Sequence, residues 1–248
     1  MPSNTGNFYS DIHLRTLKQI KLKQTTGDVI ALAVSLFKNE KKFIKIIEIG
    51  TGYGQILYLL KKKGFNDLSG LDINKQAVSY IKKNFKFIKM NYGSAFKINN
   101  KKKYDVVLCN GVLHHTNSLE KGIVQLNKIL KKDGKIFLGL YLFKFSLFDY
   151  FVKILRFFAF FFPYKLTRFL LTLFPVKYSD AILDHMYVPI IKLNTKNEIY
   201  EIFKKNNLTI KKTYSFNPLI KKNNFLKSIF YNDSFFKIYV LKKSNNLL

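Results

Sequence analysis

The sequence predicts an α/β fold: a parallel sheet covered by helices on both faces, with a helical cap inserted after the fifth strand. Three observations predict it. Between residues 43 and 141, short apolar runs rich in Ile, Val and Leu alternate with amphipathic segments. That is the pattern of strands buried on both faces and joined by crossover helices. The first run ends in the glycine-rich turn Glu48-Ile49-Gly50-Thr51-Gly52-Tyr53-Gly54, which opens a helical stretch. Residues 145–175 then break the alternation with a segment dominated by Phe and Leu. A chain of 248 residues with 48% hydrophobic content can fill one such domain and carry a modest insertion.

Taken in order, residues 11–38 mix Leu, Ile and Val with Lys at helical spacing and read as one or two N-terminal helices. Residues 43–49 read as a buried strand. Residues 55–63 follow as a helix, closed by Gly64 in the position of a left-handed cap. Strands are expected at 68–73, 85–90 and 104–110, with a helix at 75–84 between the first two. A helix over 118–130 carries Leu119, Ile123, Leu126, Ile129 and Leu130 at helical spacing. Asp133-Gly134 turns the chain into the strand 135–141. Beyond the insertion, Thr195-Lys196-Asn197-Glu198 is a capping box opening a helix to about Asn206. The last two strands are 208–216 and 235–241. The chain reads as one domain: N-terminal helices over 1–40, a cofactor-binding core over 41–144, an apolar cap over 145–190, and a C-terminal helix with strands over 191–248.

The insertion is not a membrane span. A span needs ~20 apolar residues in a row, whereas its longest uncharged stretches, 157–164 and 169–176, have eight residues each. Pro163 divides it into two helices. Asp149, Lys153 and Arg156 form a polar stripe on the first, and Lys165, Arg168 and Thr172 on the second. Three readings stand: a lid packed on the domain, a peripheral contact with anionic membrane through 145–175, and a dimer interface.

The net charge of +28 suggests a nucleic-acid or membrane partner. The composition argues for a solvated, biased surface instead. Arg15, Arg156 and Arg168 are the only arginines, and base and phosphate recognition leans on arginine forks. Nucleic acid is therefore the disfavoured partner. The single cysteine, Cys109, permits no internal disulfide framework and fits a reducing cytoplasm, with peripheral membrane contact as the variant of that placement. Residues 1–11 lack the apolar run of a signal peptide.

The turn at Glu48–Gly54 is the centre of the functional reading. Glycines let the backbone turn tightly and approach a ligand. A dinucleotide fingerprint wants G-x-G-x-x-G, and here the third glycine comes one residue early. Glu48 can face a cationic amine, which a pyrophosphate lacks. Asp72 ends the second strand 22 residues after Gly50, where a carboxylate can accept both ribose hydroxyls of a nucleoside.

With Gly93-Ser94-Ala95 and the run Tyr104 to His115 (YDVVLCNGVLHH), these motifs resemble class I S-adenosylmethionine-dependent methyltransferases, closest to the broad type 11 small-molecule group. Leu130-Lys131-Lys132-Asp133-Gly134-Lys135 is similar to the group's L-K-P-G-G turn. The resemblance covers about residues 44–141. It implies a Rossmann-like fold with a mostly parallel seven-stranded sheet and an antiparallel last strand. It also implies S-adenosylmethionine as cofactor. Glu48, Gly50, Thr51, Gly52 and Gly54 would then hold the methionine part, with Gln55 beside them. Asp72 would take the ribose, Ile73 would flank the adenine, and Ser94 and Ala95 would meet its edge. Asn110 and Val112 would line the methionine side. The group usually has Asp where this chain has Ser94, which removes charge assistance from that bond.

On the acceptor side, His114 and His115 follow the fourth strand, at the sheet edge where ligands bind. They read equally as substrate contact or base and as capping or wall residues. Asp184-His185-Met186-Tyr187-Val188-Pro189 is a second polar group, resembling an Asp-Gln-Tyr/Phe-x-x-Pro stretch of the group with His185 in place of Gln. Asp184 and His185 are candidate catalytic residues, and Tyr187 and Tyr141 candidate pocket walls; an ordered structural loop is the competing account. Four histidines and one cysteine show no metal-ligand spacing, so no metal is expected. The expected function is methyl transfer to a small or lipid-like acceptor. The alternatives are an RNA or protein methyltransferase, from the charge, and a non-catalytic membrane-associated module.

Overall fold

A computed structural model describes residues 28–99, 101–143, 147–159, 161–173, 183, 186–188, 190–216 and 236–244. Seven strands form one sheet: β1 Lys45–Ile49, β2 Asp67–Asp72, β3 Ile88–Tyr92, β4 Tyr104–Asn110, β5 Leu130–Tyr141, β6 Leu208–Phe216 and β7 Phe236–Lys243, in the order β3-β2-β1-β4-β5-β7-β6. β1 through β5 pair in parallel, and β7 runs antiparallel to both of its neighbours. The expected seven-stranded, mostly parallel sheet with a reversed last strand is therefore the one found. The strand order turns back on itself between β1 and β4, and ligands of open α/β sheets bind in the crevice outside the strand ends at such a point.

Period-two alternation along the strands feeds two apolar layers. Ile46, Val106 and Leu108 point to one face, where α1 (Asp28–Ser35), α2 (Gln55–Lys62) and α3 (Lys75–Asn84) add Ala33, Leu57, Leu60, Ala77 and Ile81. Ile47, Val107 and Cys109 point to the other, under α4 (Leu119–Ile129) and α7 (Lys196–Lys205), which add Ile123, Leu126, Ile199 and Phe203. Phe37 anchors the first layer. Its ring meets Phe65 at 5.6 Å and Phe137 at 5.0 Å, both edge-to-face.

The helix ends follow their local chemistry. Gly64 has φ of 90°, as a left-handed cap requires, and the Phe65 N–H returns to the Leu60 carbonyl. Asn74 caps α3 and Ser118 caps α4. The expected capping box is formed on α7: Thr195 Oγ1 accepts from the Glu198 N–H, and Glu198 Oε2 accepts from the Thr195 N–H at 2.7 Å. That backbone bond is the main reason the Glu198 carboxyl is held below the usual range.

Boundaries depart from expectation where side chains compete with pairing. β1 starts at Lys45, because Phe43 is exposed and lies beside the Lys41 ammonium. β3 starts at Ile88 rather than 85: the Phe85 N–H still closes α3 on Ile81, and the Phe85 ring packs on Tyr58, Tyr80 and Phe87. α4 is one residue shorter at each end than expected, and β7 runs on to 243, past its expected end at 241; residue 235 lies outside the described residues. The Asp133-Gly134 turn lies inside β5, as a bulge between the pairs Tyr104–Leu130 and Val106–Lys135. Gly134 is needed there, since a Cβ would lie 2.7 Å from Leu130 and 3.0 Å from the Asp105 carbonyl. Of the expected N-terminal helices, α1 is present over 28–35, and residues 11–27 lie outside the described residues.

The cap carries two helices, α5 (Leu147–Ala159) and α6 (Tyr164–Leu173), divided at Pro163 as expected. Among the described residues no helix is long and apolar enough to cross a membrane.

Phe37 is fully buried between both ring partners. Phe37→Ala is expected to lower stability by about 3–5 kcal/mol, read as a drop in the urea midpoint. Thr195→Ala at the capping box should lower it by only about 1 kcal/mol.

Candidate active site

The carboxyl ends of β1, β2 and β4 meet at one corner. Gly50, Gly52 and Gly54 sit there with φ of 74°, 53° and 81°, a conformation that L side chains rarely adopt. The Gly50 N–H donates to the Leu71 carbonyl at 2.8 Å, and Thr51 Oγ1 donates to the Glu48 carbonyl at 2.8 Å. Gly50 also makes room across the sheet: a Cβ would lie 2.2 Å from Val112 Cγ2, so the loop after β1 touches the loop after β4.

Asp72 joins the loop after β1 to the one after β2. Its Oδ2 accepts from the Gly52 N–H at 2.7 Å and its Oδ1 from the Asn74 N–H at 2.8 Å. Each oxygen keeps a second lone-pair site for a further donor. The Gly93 N–H donates to the Asp72 carbonyl at 2.9 Å, which brings Ser94 and Ala95 to the same corner. Ser94 Oγ accepts from the Phe96 N–H at 3.2 Å. Ile73 projects beside them with 68% of its surface exposed, an uncovered apolar shelf.

Glu48 lies beneath this loop and is 4% exposed. Burial, then the negative charge of Asp72, push its carboxyl well above the ordinary range. Among the described residues its Oε2 has no hydrogen-bond partner. A buried acid beside a second carboxylate is completed by a cation. Gln55 is buried at the start of α2, whose N-terminus carries no side-chain cap bond. A ligand carboxylate suits such an end. Asn110 closes the corner from β4 with Oδ1 buried and without a hydrogen-bond partner among the described residues. The residues present thus fit S-adenosylmethionine: an acid for its amine, a helix start for its carboxylate, Asp72 for its diol and an apolar shelf for its base.

Two neighbours of this corner escaped the sequence reading. A Cβ at Gly139 would lie 2.1 Å from Asn110 Oδ1 and 2.6 Å from the Phe236 ring. The signal was available, since a lone glycine inside a strand marks close approach. Phe236, which meets the Tyr141 ring at 5.0 Å, gave no local signal.

The acceptor side is built from the ends of β4 and β5. His114 is buried within a short 3₁₀ turn, Leu113–His115. Its ring lies 4.1 Å from His115 and 4.6 Å from Tyr141, and the Tyr141 N–H approaches its Nδ1 at 3.5 Å. That contact turns Nδ1 toward the β5 backbone. The Nδ1 of the half-buried His115 lies 3.1 Å from the Ile190 carbonyl, which can only accept, so Nδ1 carries the proton. The chain returning from the cap is fixed here a second time, by the Lys192 N–H on the His114 carbonyl at 2.8 Å.

Tyr187 stands apart from this cluster. Its hydroxyl donates to the Phe162 carbonyl at 2.7 Å, contacts the Thr167 hydroxyl, and so clasps the corner between α5 and α6. Asp184 and His185 lie outside the described residues. Cys109 is buried in β4, its thiol raised far above the usual range by burial and by the nearby Glu48.

A family model described as a methyltransferase domain matches residues 22–212. The chain belongs to the methyltransferase domain family. This methyltransferase is 27% identical over 193 residues to a ubiquinone biosynthesis O-methyltransferase of Pelagibacter ubique, covering 73% of this chain and 68% of that protein. It is 31% identical over 107 residues to a protein of the same description from Rickettsia typhi, covering 41% of this chain and 42% of that one. Among solved structures it resembles a magnesium protoporphyrin IX methyltransferase of Synechocystis crystallised with SAH, with a TM-score of 0.56 and 15% identity over 87% of this chain and 82% of that one. It also resembles a TehB-like SAM-dependent methyltransferase of Corynebacterium glutamicum, with a TM-score of 0.59 and 13% identity over 95% and 98%. At that identity these two likenesses show the fold.

Glu48→Gln separates binding from stability. A carboxyl raised in the folded state adds stability at low pH, which is lost as pH rises through the raised value. The variant is therefore expected to be more stable at neutral pH, by about 0.5–2 kcal/mol, yet to bind S-adenosylmethionine at least tenfold more weakly in calorimetry. In the wild type, a cationic ligand favours ionised Glu48, so affinity should fall as pH is lowered through that raised value. Gly50→Ala should abolish binding, by displacing Val112 and straining the turn.

Proposed function

We propose that this methyltransferase acts on a hydroxyl of a small, ring-bearing, amphipathic acceptor held between Tyr141, the histidine pair and the cap. The observation that carries the proposal is the aromatic and histidine corner at the ends of β4 and β5. It lies one turn of chain from the Gly50–Val112 contact, so acceptor and donor sites share one crevice. The description of the relatives as O-methyltransferases supports the choice of oxygen.

The methyl donor is S-adenosylmethionine, which when bound supplies an electrophilic methyl group on a positively charged sulfur. The leaving group is thereby already activated, and alignment is the protein's main contribution, worth up to ~7–11 kcal/mol in favourable cases. Glu48 and Asp72 hold the two ends of the donor, and Asn110 and Val112 line its path toward the acceptor. Tyr141, supported by Phe236, offers a ring face on which a planar acceptor stacks.

A hydroxyl becomes a good nucleophile when its proton is removed. His115 is the residue suited to that step. With Nδ1–H held on the Ile190 carbonyl, the neutral ring carries its lone pair on Nε2. His114 is nearly sealed from solvent and acts as a positioning residue, tying β5, the His115 ring and the cap's return chain together.

Transfer of labelled methyl to a panel of phenols and catechols, with and without isoprenoid tails, tests the reading, with RNA and protein as comparison acceptors. Label is expected on the ring-bearing hydroxyls; label on RNA or protein alone would overturn the acceptor class. His115→Ala should lower kcat about 10²–10⁴-fold with little change in KM for the donor.

A further inference from the structure

We propose that the α5–α6 hairpin docks this protein on the surface of an anionic lipid bilayer. The hairpin exposes large apolar side chains where a soluble domain would bury them. Phe157, Phe161, Phe169 and Leu173 are 65%, 61%, 59% and 60% exposed, and Phe158 and Phe162 join them at the corner. The Phe157 ring packs on Phe161 at 5.4 Å and on Phe158 at 6.0 Å, so the corner is one aromatic knob. Contiguous apolar patches of this kind mark an interaction surface.

The surface is preformed. Tyr187 clasps the corner through the Phe162 carbonyl and the Thr167 hydroxyl, and its ring meets Tyr164 at 5.4 Å. A clasp of this kind holds the apolar faces of the two helices together at a fixed angle. Preorganisation lowers the ordering penalty of docking.

Charge selects the occupant. The hairpin, residues 147–173 without its connecting residue 160, contains Lys153, Arg156, Lys165 and Arg168 against a single acid, Asp149, within a chain of net charge +28. A second copy would bring two such charges together. An anionic bilayer is complementary, since its headgroups attract juxtamembrane Lys and Arg while its acyl boundary accepts Phe and Leu. The helices have 13 and 10 residues. At ~1.5 Å per residue neither reaches across a core of ~30 Å. The hairpin therefore lies in the interface. The docking stands independently of which acceptor the enzyme uses.

Vesicle sedimentation of the full chain tests this. With phosphatidylcholine vesicles containing phosphatidylglycerol, most of the protein is expected in the pellet; with phosphatidylcholine alone, at least tenfold less. The triple variant Phe157→Ser/Phe161→Ser/Phe169→Ser should lose at least tenfold in partitioning. These side chains are exposed, so its Tm should be unchanged. Lys153→Gln/Lys165→Gln should reduce the preference for the anionic vesicles. Equal pelleting of wild type and triple variant would overturn the proposal, leaving diffuse charge as the cause. So would a wild type that ignores anionic vesicles, or a dimer in solution that the triple variant converts to a monomer while vesicle binding persists.

Discussion

The Asp72 carboxylate is the constraint on which the donor side of the site depends. It accepts one backbone N–H from the glycine turn and one from the cap of α3. The turn after β1 and the turn after β2 are thus fixed to one side chain at the sheet's switch point. Much of the donor side is tied to that link: Ile73 follows it in the chain, Gly93 to Ala95 are held through the Asp72 carbonyl, and Glu48 in β1 lies within its negative field. The field also explains why the buried Glu48 is uncomfortable without a cation. The corner is held in an electrostatically incomplete form by its own backbone, and a sulfonium-bearing amino acid brings the missing charge.

Much of this was legible in the sequence because it is local. The glycine spacing, Asp72 at a strand end, the left-handed Gly64 and the Thr195–Glu198 box are each determined within a few residues, and each is found in place. The strand run Tyr104 to Asn110 could be read from its short apolar core, Val106 to Cys109, bounded by polar residues. What was not legible depends on partners far along the chain. The room that Gly139 makes for Asn110 and the ring that Phe236 lays on Tyr141 join β5 to β4 and β7. Tyr187 carried a local motif that suggested a pocket wall, and its hydroxyl is engaged in the cap because the hairpin corner folds back over it. The start of β3 shifted for a similar reason: an aromatic cluster between α2 and α3 holds Phe85 and Phe87 before pairing begins.

The cap and the acceptor corner are mechanically connected. The segment returning from the cap gives its Ile190 carbonyl to His115 and its Lys192 N–H to the His114 carbonyl, and then pairs with Leu142 through Asn194. One contact to the His115 ring and two between backbones thus join the cap's return chain to the corner beside Tyr141.

Cys109 gives the molecule a property unrelated to its chemistry. The only thiol in the chain is wholly enclosed in the central strand, and its ionisation is suppressed by burial and by Glu48. A thiol reagent reaches it only when β4 parts from its neighbours. The rate of its alkylation is consequently a reporter of global opening, an internal clock of unfolding written into the sheet at the strand that bears the site.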